Sequence, residues 1–269
     1  MFARLTAFGY GAVCYALFLA TFLYAIGFIG NLWVPKSIDS GLEGPLSQAL
    51  LVNAALLGVF AIQHSVMARG WFKRAWTKVV PKPVERSTYV LFSSLALLAL
   101  FWLWRPMGGV IWNVQSPAGR AILYGSFAFG WLTVLASTFL IDHFDLFGMR
   151  QVYLYLRGKE EGPIVFRTPG LYRLVRHPLY LGWLLVFWSA PTMTVAHLVF
   201  ALATTGYILI AIQFEERDLI RLYGDAYRKY RARIPMIIPL PFRASGETVS
   251  IVPQSASIRV DVSTKRPNV

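Results

Sequence analysis

Long apolar runs separated by short charged breaks dominate this chain. The runs Leu5–Leu32, Leu46–Met67, Tyr89–Trp104 and Ala121–Ile141 approach or exceed the ~20 residues an α-helix needs to cross a bilayer, and each predicts one span. A fifth apolar region, Leu179–Phe214, is broken by Ser189-Ala190-Pro191-Thr192. Its first arm, Leu179–Ala190, would rise only about 18 Å, too short to cross alone. Its second arm, from Thr194 to Phe214, is long enough. The region therefore predicts a helical hairpin with a short or re-entrant first arm. Past it, Glu216, Leu219, Tyr223, Tyr227, Tyr230 and Ile234 recur at three- and four-residue steps, one face of a helix, with Lys and Arg on the other faces. That pattern predicts a helix on or capping the membrane interface, ended by Pro235.

The expected fold is an all-α, polytopic integral membrane bundle: four spans plus a C-terminal helical hairpin, five to six transmembrane segments in all, and a cytoplasmic interfacial helix. Residues 1–242 are expected to form a single membrane domain, with the four spans in 1–142 and the chemistry-bearing half in 143–242. Residues 243–269, rich in Ser, Thr and Val, are expected to be a poorly ordered tail.

Composition agrees: 56% of residues are hydrophobic and 14% charged, which places the chain among polytopic membrane proteins. The net charge of +13 would suit nucleic acid if it lay on a soluble face. Instead the cations fall in blocks between apolar runs, so nucleic acid is not an expected partner and membrane lipid is. Lys73, Arg74, Lys78 and Lys82 crowd one loop, Arg150, Arg157, Arg173 and Arg176 another, and Arg228, Lys229 and Arg231 follow the last span. Under strict alternation all three fall on one side, which the positive-inside rule makes cytoplasmic. The first apolar run is longer than a signal-peptide core and predicts an uncleaved span. Cys14 is the only cysteine, so neither an intramolecular disulfide nor a Cys-rich metal site is expected, and no His-x-x-x-His spacing suggests a metal.

The chemistry-bearing candidates cluster late in the chain. Arg176-His177-Pro178-Leu179-Tyr180-Leu181-Gly182 brings two potential cations and a phenol to the start of the hairpin, and Glu215-Glu216 answers from its end. Ionisable groups at the edge of hydrocarbon are costly and mark functional sites. The residue before a proline is pushed out of the helical region, while proline suits the first helical turn. His177 is therefore expected at a helix N-terminus whose free N–H groups suit a carboxylate. His64 and His143, the latter flanked by Asp142 and Asp145, are further ionisable groups beside apolar runs. Each could equally serve as a hydrogen-bonded link between helices.

Arg-His-Pro-x-Tyr-x-Gly, then Glu-Glu-x-x-Leu-x-x-x-Tyr-Gly-x-x-Tyr-x-x-Tyr and a Pro-x-x-x-Pro ending, resembles the isoprenylcysteine carboxyl methyltransferase superfamily of membrane enzymes. The match runs from about Gly170 to Pro239. Gln63-His64-Ser65-Val66-Met67-Ala68-Arg69 and Asp142-His143-Phe144-Asp145-Leu146-Phe147-Gly148 resemble its nurim-like branch. Within that branch the chain is most similar to bacterial methanethiol S-methyltransferases, which make dimethyl sulfide. The resemblance implies a bacterial inner-membrane enzyme, its active site facing the cytoplasm, that uses S-adenosyl-L-methionine to methylate a small thiol. It implies a cofactor pocket of Tyr172, His177, Pro178, Leu179, Tyr180 and Glu215, with Gln151 and the segment Ile164–Arg167 matched across a longer loop. The cofactor's own positive sulfur and Arg176 would favour the thiolate, and His143, with Asp142 or Asp145 beside it, or His64 would take the thiol proton. Where the prenylcysteine enzymes carry a carboxylate-binding arginine, four residues before the first Glu, this chain has Ala211. That departure fits a small neutral acceptor. A related enzyme with a phospholipid or prenyl-carboxylate acceptor, and a non-catalytic nurim-like protein, are the alternatives.

Overall fold

The computed structural model describes residues 1–239, apart from 161 and 163–165. The tail expected after residue 243, and Ile164 and Val165, lie outside the described residues. Five helices are long and apolar enough to cross a membrane: α1 (Phe2–Gly30), α2 (Leu46–Met67), α4 (Lys82–Leu103), α5 (Pro117–Ile141) and α9 (Val195–Tyr223). Between them lie the short helices α3 (Gly70–Trp76), α6 (His143–Leu146), α7 (Met149–Leu156) and the apolar α8 (Pro178–Trp188), and α10 (Asp225–Arg233) follows α9. The multi-pass helical fold is as expected.

Helix ends follow local chemistry. Pro83 sits in the first turn of α4 and Pro117 opens α5 behind Ser116, whose hydroxyl accepts from Gly119 N–H. α1 stops at Asn31, which takes the left-handed conformation. The third span begins two turns before the expected Tyr89, because Glu85 and Arg86 break the apolar run without breaking the helix.

Two short strands, β1 (Val110–Asn113) and β2 (Thr192–Thr194), pair antiparallel. They tie the α4–α5 connection to the turn of the hairpin. Asp39, from the α1–α2 connection, accepts from Thr194 at the same end. This end of the bundle is thus cross-linked, and α3, α6, α7 and α10 gather at the other. Asn53, fully buried in α2, exchanges two hydrogen bonds with the backbone of Arg105 (2.8 and 2.9 Å) and holds α2 against the α4 exit.

The core is aromatic. Phe28, Phe101, Trp104, Trp131, Phe187 and Phe200 are all buried where α1, α4, α5, α8 and α9 meet. Without a hydrophobic drive between helices in lipid, close backbone approach carries much of the packing. α5 and α8 achieve it through facing glycines. A Cβ on Gly182 would lie 2.8 Å from the Gly130 carbonyl and 2.8 Å from the Val134 backbone nitrogen. α8 has 11 residues and rises roughly 16 Å, about half the hydrocarbon thickness. It is too short to cross alone, as expected of the hairpin's first arm, and it follows an irregular segment.

The interfacial helix differs from expectation. The Glu216-to-Ile234 face is divided at Gly224 (φ 56°), so Glu216 and Tyr223 belong to the end of α9 and α10 folds back on it. Tyr227, on α10, is buried within the protein. α10 ends at Arg233, before Pro235, as expected.

Overpacking a close crossing costs about 1–3 kcal/mol. Gly182→Ala should lower the thermal unfolding midpoint in detergent, whereas Gly206→Ala, with open space around its Cβ, should leave it unchanged or raised. Equal midpoints would remove the crossing from the account.

Candidate functional site

The start of α8 is held by a buried carboxylate. Glu216, 3% exposed, receives Arg176 Nε at 2.7 Å and His177 Nε2 at 3.1 Å on one oxygen, and Arg231 Nε at 3.1 Å on the other. Its ligands come from the segment before α8 and from α10, so a single anion fixes three pieces of chain. The irregular backbone here is also satisfied, by partners outside a helix. Arg176 and His177 N–H donate to Pro235 and Met236 carbonyls at 2.9 and 3.0 Å, and Arg176 Nη1 donates to the Arg231 and Ile234 carbonyls. Tyr230 hydroxyl donates to the Tyr172 carbonyl at 2.6 Å. Burial pushes the Tyr230 phenol up to about 12, so it stays a neutral donor at ordinary pH.

Glu215 plays a different part from its neighbour. Successive residues on a helix point about 100° apart, so Glu215 faces away from the Arg176 cluster. It accepts from Tyr180 hydroxyl at 2.9 Å and lies 3.9 Å from His177 Nδ1, beyond hydrogen-bond reach. His177 caps α8, and Pro178 follows it in the first turn. The N–H groups of Leu179 and Tyr180 have no intrahelical acceptor and no other partner among the described residues. Two free donors, a half-exposed carboxylate and an unpaired imidazole nitrogen thus share one small region.

Glu215, Ala211 and Tyr207 recur at four-residue steps along one stripe of α9. Tyr207 hydroxyl is 3.1 Å from Ser65 Oγ on α2, and its ring meets Phe60 edge to face. One turn along α2, His64 has Tyr89 hydroxyl 2.9 Å from Nδ1 and 3.0 Å from Nε2, with Ser93 Oγ 3.2 Å from Nδ1. The stripe thus runs from Glu215, which Tyr180 of α8 bonds, to Tyr207, which meets the residue beside His64.

His143 sits in a second cluster. It is buried, stacked on Phe139 at 4.2 Å and packed against Phe147. Nδ1 lies 2.9 Å from Thr138 Oγ1, and Nε2 lies 2.8 Å from Tyr15 hydroxyl. Thr138 hydroxyl already donates to the Leu135 carbonyl, so it accepts from Nδ1–H, and Tyr15 donates to Nε2. Both ring nitrogens are engaged. Asp145 does not orient this ring as the flanking-carboxylate reading supposed. Two positions on around α6 it turns aside and binds Arg150 (3.0 Å) and Gln151 (3.1 Å), while Asp142 caps α6 through the Asp145 N–H. Gln151 Oε1 is buried without a donor. α4 links the clusters: Arg86 and Ser87 hold the Leu146 and Gly148 carbonyls one turn from Tyr89.

Every sequence-predicted site residue therefore lies at the same end of the bundle. Arg176, His177 and Glu216 form the buried ion group, Pro178, Leu179, Tyr180 and Glu215 the open one, Tyr172 the backbone link beside it, and His64 the far side of the stripe. His143, Asp145 and Gln151 stand apart on α6 and α7. Arg176 directs its donors inward onto Glu216 and carbonyls, not toward an open space. Sequence reasoning missed Tyr89, Tyr207, Arg231 and the distinct role of Glu216. Tyr207 was within reach, since it stands two turns before Glu215 on the same face. Among the described residues no group of three His, Cys, Asp or Glu side chains is placed to hold a metal.

No family model matches the chain, and no solved structure matches it. Curated relatives do. A methanethiol S-methyltransferase of Crocosphaera subtropica is 60% identical over 230 residues, 86% of this chain and 90% of its own. One of Mycobacterium tuberculosis is 56% identical, covering 87% of this chain and 96% of its own. The chain belongs to the methanethiol S-methyltransferase family. Nurim of Xenopus laevis is a more distant relative, 29% identical over 72% of this chain and 75% of its own, in keeping with a nurim-like branch. A methyltransferase family implies a methyl donor, and the residues present fit one with an amino-acid end. The Leu179 and Tyr180 N–H groups suit a carboxylate, Glu215 suits an ammonium or hydroxyl groups, and Gln151 Oε1 lacks a donor of its own.

Burial holds His143 below the ordinary histidine value of 6.5. The unfolded chain therefore binds the proton first, and stability that is full above pH 6.5 is lost as pH falls toward the folded value. The thermal midpoint should drop on acidification through that window, and His143→Gln should remove part of the drop. An identical pH profile for the variant would show that His143 does not titrate with folding.

Proposed function

We propose that this protein transfers a methyl group from S-adenosyl-L-methionine to methanethiol, giving dimethyl sulfide, as a multi-pass enzyme of a bacterial inner membrane with its site open to the cytoplasm. Residues 1–242 would work as one unit. The observation that carries the reading is the meeting of Tyr180 and Glu215 beside His177 at the cation-rich end of the bundle, on a stripe of α9 whose Tyr207 bonds Ser65 next to His64, in a chain so close to enzymes of that name.

Bound there, the sulfonium supplies an electrophilic methyl carbon. The Leu179 and Tyr180 N–H groups would hold its carboxylate at the α8 N-terminus, and Glu215 would hold its ammonium or ribose hydroxyls. Tyr180 fixes the rotamer of Glu215. Arg176, neutralised by Glu216, positions the segment rather than touching the thiol. The nucleophile must be a thiolate, since a thiol with a pKa near that of cysteine, about 8.5, is mostly protonated at neutral pH. His64 is the base we prefer, because its neighbour Ser65 bonds Tyr207 on the Glu215 stripe of α9; the Tyr89 or Ser93 hydroxyl must give way for one of its nitrogens to accept the thiol proton. His143 has neither nitrogen open. With the proton on His64, the thiolate would bond to the methyl carbon in line as that carbon's bond to the donor sulfur breaks and the donor leaves as a neutral thioether; positioning and exclusion of water would supply most of the rate.

Ala211 lies between Tyr207 and Glu215, so the stripe offers no cation to a carboxylate acceptor. A charged acceptor would lose its hydration uncompensated.

Purified protein given labelled S-adenosylmethionine should convert methanethiol to volatile labelled dimethyl sulfide and leave prenylcysteine unmethylated. Glu215→Ala should weaken cofactor binding by roughly 10- to 150-fold, the loss of one charge-assisted contact, without loss of the fold. Ala211→Arg should impair thiol turnover. Comparable turnover of prenylcysteine and methanethiol would overturn the acceptor, and undiminished binding by Glu215→Ala the cofactor contact.

A further inference from the structure

At the β1–β2 end of the bundle, opposite the site described above, an open groove of about 250 Å³ lies between α1 and α4. Tyr24, Leu98, Phe101 and Trp102 line it. Phe101 is 3% exposed and Trp102 69%, so the groove has a buried floor and an open lip. Water would find few partners there, since the Tyr24 hydroxyl already donates to the Lys36 carbonyl at 2.9 Å. α4 has 22 residues and rises roughly 33 Å, close to the hydrocarbon thickness. The groove occupies its last turns, where a span ends and headgroups begin. An exposed tryptophan suits that level.

Two cations stand at the mouth of this groove. Lys36 follows α1, and Arg105 follows α4 three residues after Trp102. Asn53 takes both backbone groups of Arg105, which fixes where its side chain starts. Lys36 Nζ lies beside the next residue, Pro106: a Cβ on Gly41 would meet Nζ at 3.2 Å and the Pro106 ring at 3.7 Å. Burial, and after it the Arg105 charge, hold the Lys36 ammonium below its ordinary value. Neither cation has a salt bridge among the described residues. The acids of the same connection are turned elsewhere: Asp39 accepts from Thr194 and Asn31, and the Glu43 carboxylate lies against Gly108. Like charges held together without a counter-ion, beside an apolar groove at the end of a span, suit a phosphate that carries an acyl chain. A second copy docked face to face would instead bring its own two cations against these.

We propose that this face binds one anionic phospholipid, its phosphate between Lys36 and Arg105 and one acyl chain in the α1–α4 groove. The lipid would complete the cross-linking of this end, bridging the α1–α2 and α4–β1 connections through charge. The site stands or falls independently of methyl transfer.

For the test, full-length protein in detergent receives phosphatidylglycerol or phosphatidylcholine with the same acyl chains, and native mass spectrometry counts the lipid retained. One phosphatidylglycerol per protein should be held more tightly than any further copies, and more tightly than phosphatidylcholine. Lys36→Gln with Arg105→Gln should weaken that binding by roughly 30-fold, about fivefold for each cation at a membrane surface. Lys73→Gln with Arg74→Gln removes as many charges, on α3 at the other end, and should not change it. Leu98→Phe, which narrows the groove and keeps both cations, should also weaken it. Equal retention of the two lipids, parental binding by the charge or the groove variant, or an equal loss in the Lys73 and Arg74 control would overturn the proposal. So would displacement of the lipid by inorganic phosphate, the mark of a simple ion site, or a lipid-free dimer that the groove variant abolishes.

Discussion

The carboxylate of Glu216 is the constraint on which the active end of this molecule depends. A buried anion costs several kcal/mol unless it is paired and hydrogen-bonded on every side. Here Arg176, His177 and Arg231 supply the pairing, and they join the segment before α8 to the end of α9 and to α10. The arrangement carries two guanidinium charges against one carboxylate, and Glu215, beyond His177, restores the balance. The group thus leaves Glu215 with a cationic neighbourhood and no closed ion pair of its own. That is what a residue needs if it is to remain available to a ligand.

The shortness of α8 sets where this happens. Eleven residues are too few to cross alone, and the segment before α8 is irregular, so its backbone groups need partners outside a helix. The carbonyls of residues 231–236 answer that need, and in doing so they draw α10 and the following strand of chain over the site. At the other end, the Gly130–Gly182 crossing and the β1–β2 pairing fix the hairpin against α5. A helix too short to span is stable here because both of its ends are tied.

The fold was legible because its signal is additive: twenty apolar residues in a row outweigh any local detail. Helix limits were not, since Glu85 and Arg86 lower hydropathy while remaining good helix formers. The Arg-His-Pro motif and the Glu pair stood out in the chain, but which Glu does what depends on a rotation of about 100° between neighbours, and sequence does not say which side of α9 faces inward. Nor could it show that the cations around Glu216 come from Arg176 and Arg231 and not from Arg217 or Arg221 nearby. His143 read as a candidate base because its neighbours in sequence are carboxylates. Its neighbours in space are Tyr15 and Thr138, which only the packing of α1 on α6 brings together.

If the Glu216 group exists to position the site and not merely to hold the bundle, its two roles can be separated. Buried ion groups replaced whole by apolar side chains of similar size commonly keep or gain stability. The variant Arg176→Met, Glu216→Leu, Arg231→Met should therefore remain folded, with a thermal midpoint near that of the parent protein. Calorimetry with S-adenosylmethionine on that variant is the direct measurement. The account predicts at least a tenfold loss of affinity, because the segment carrying His177, Leu179 and Tyr180 is no longer held in register with Glu215. Parental affinity in the folded triple variant would contradict it.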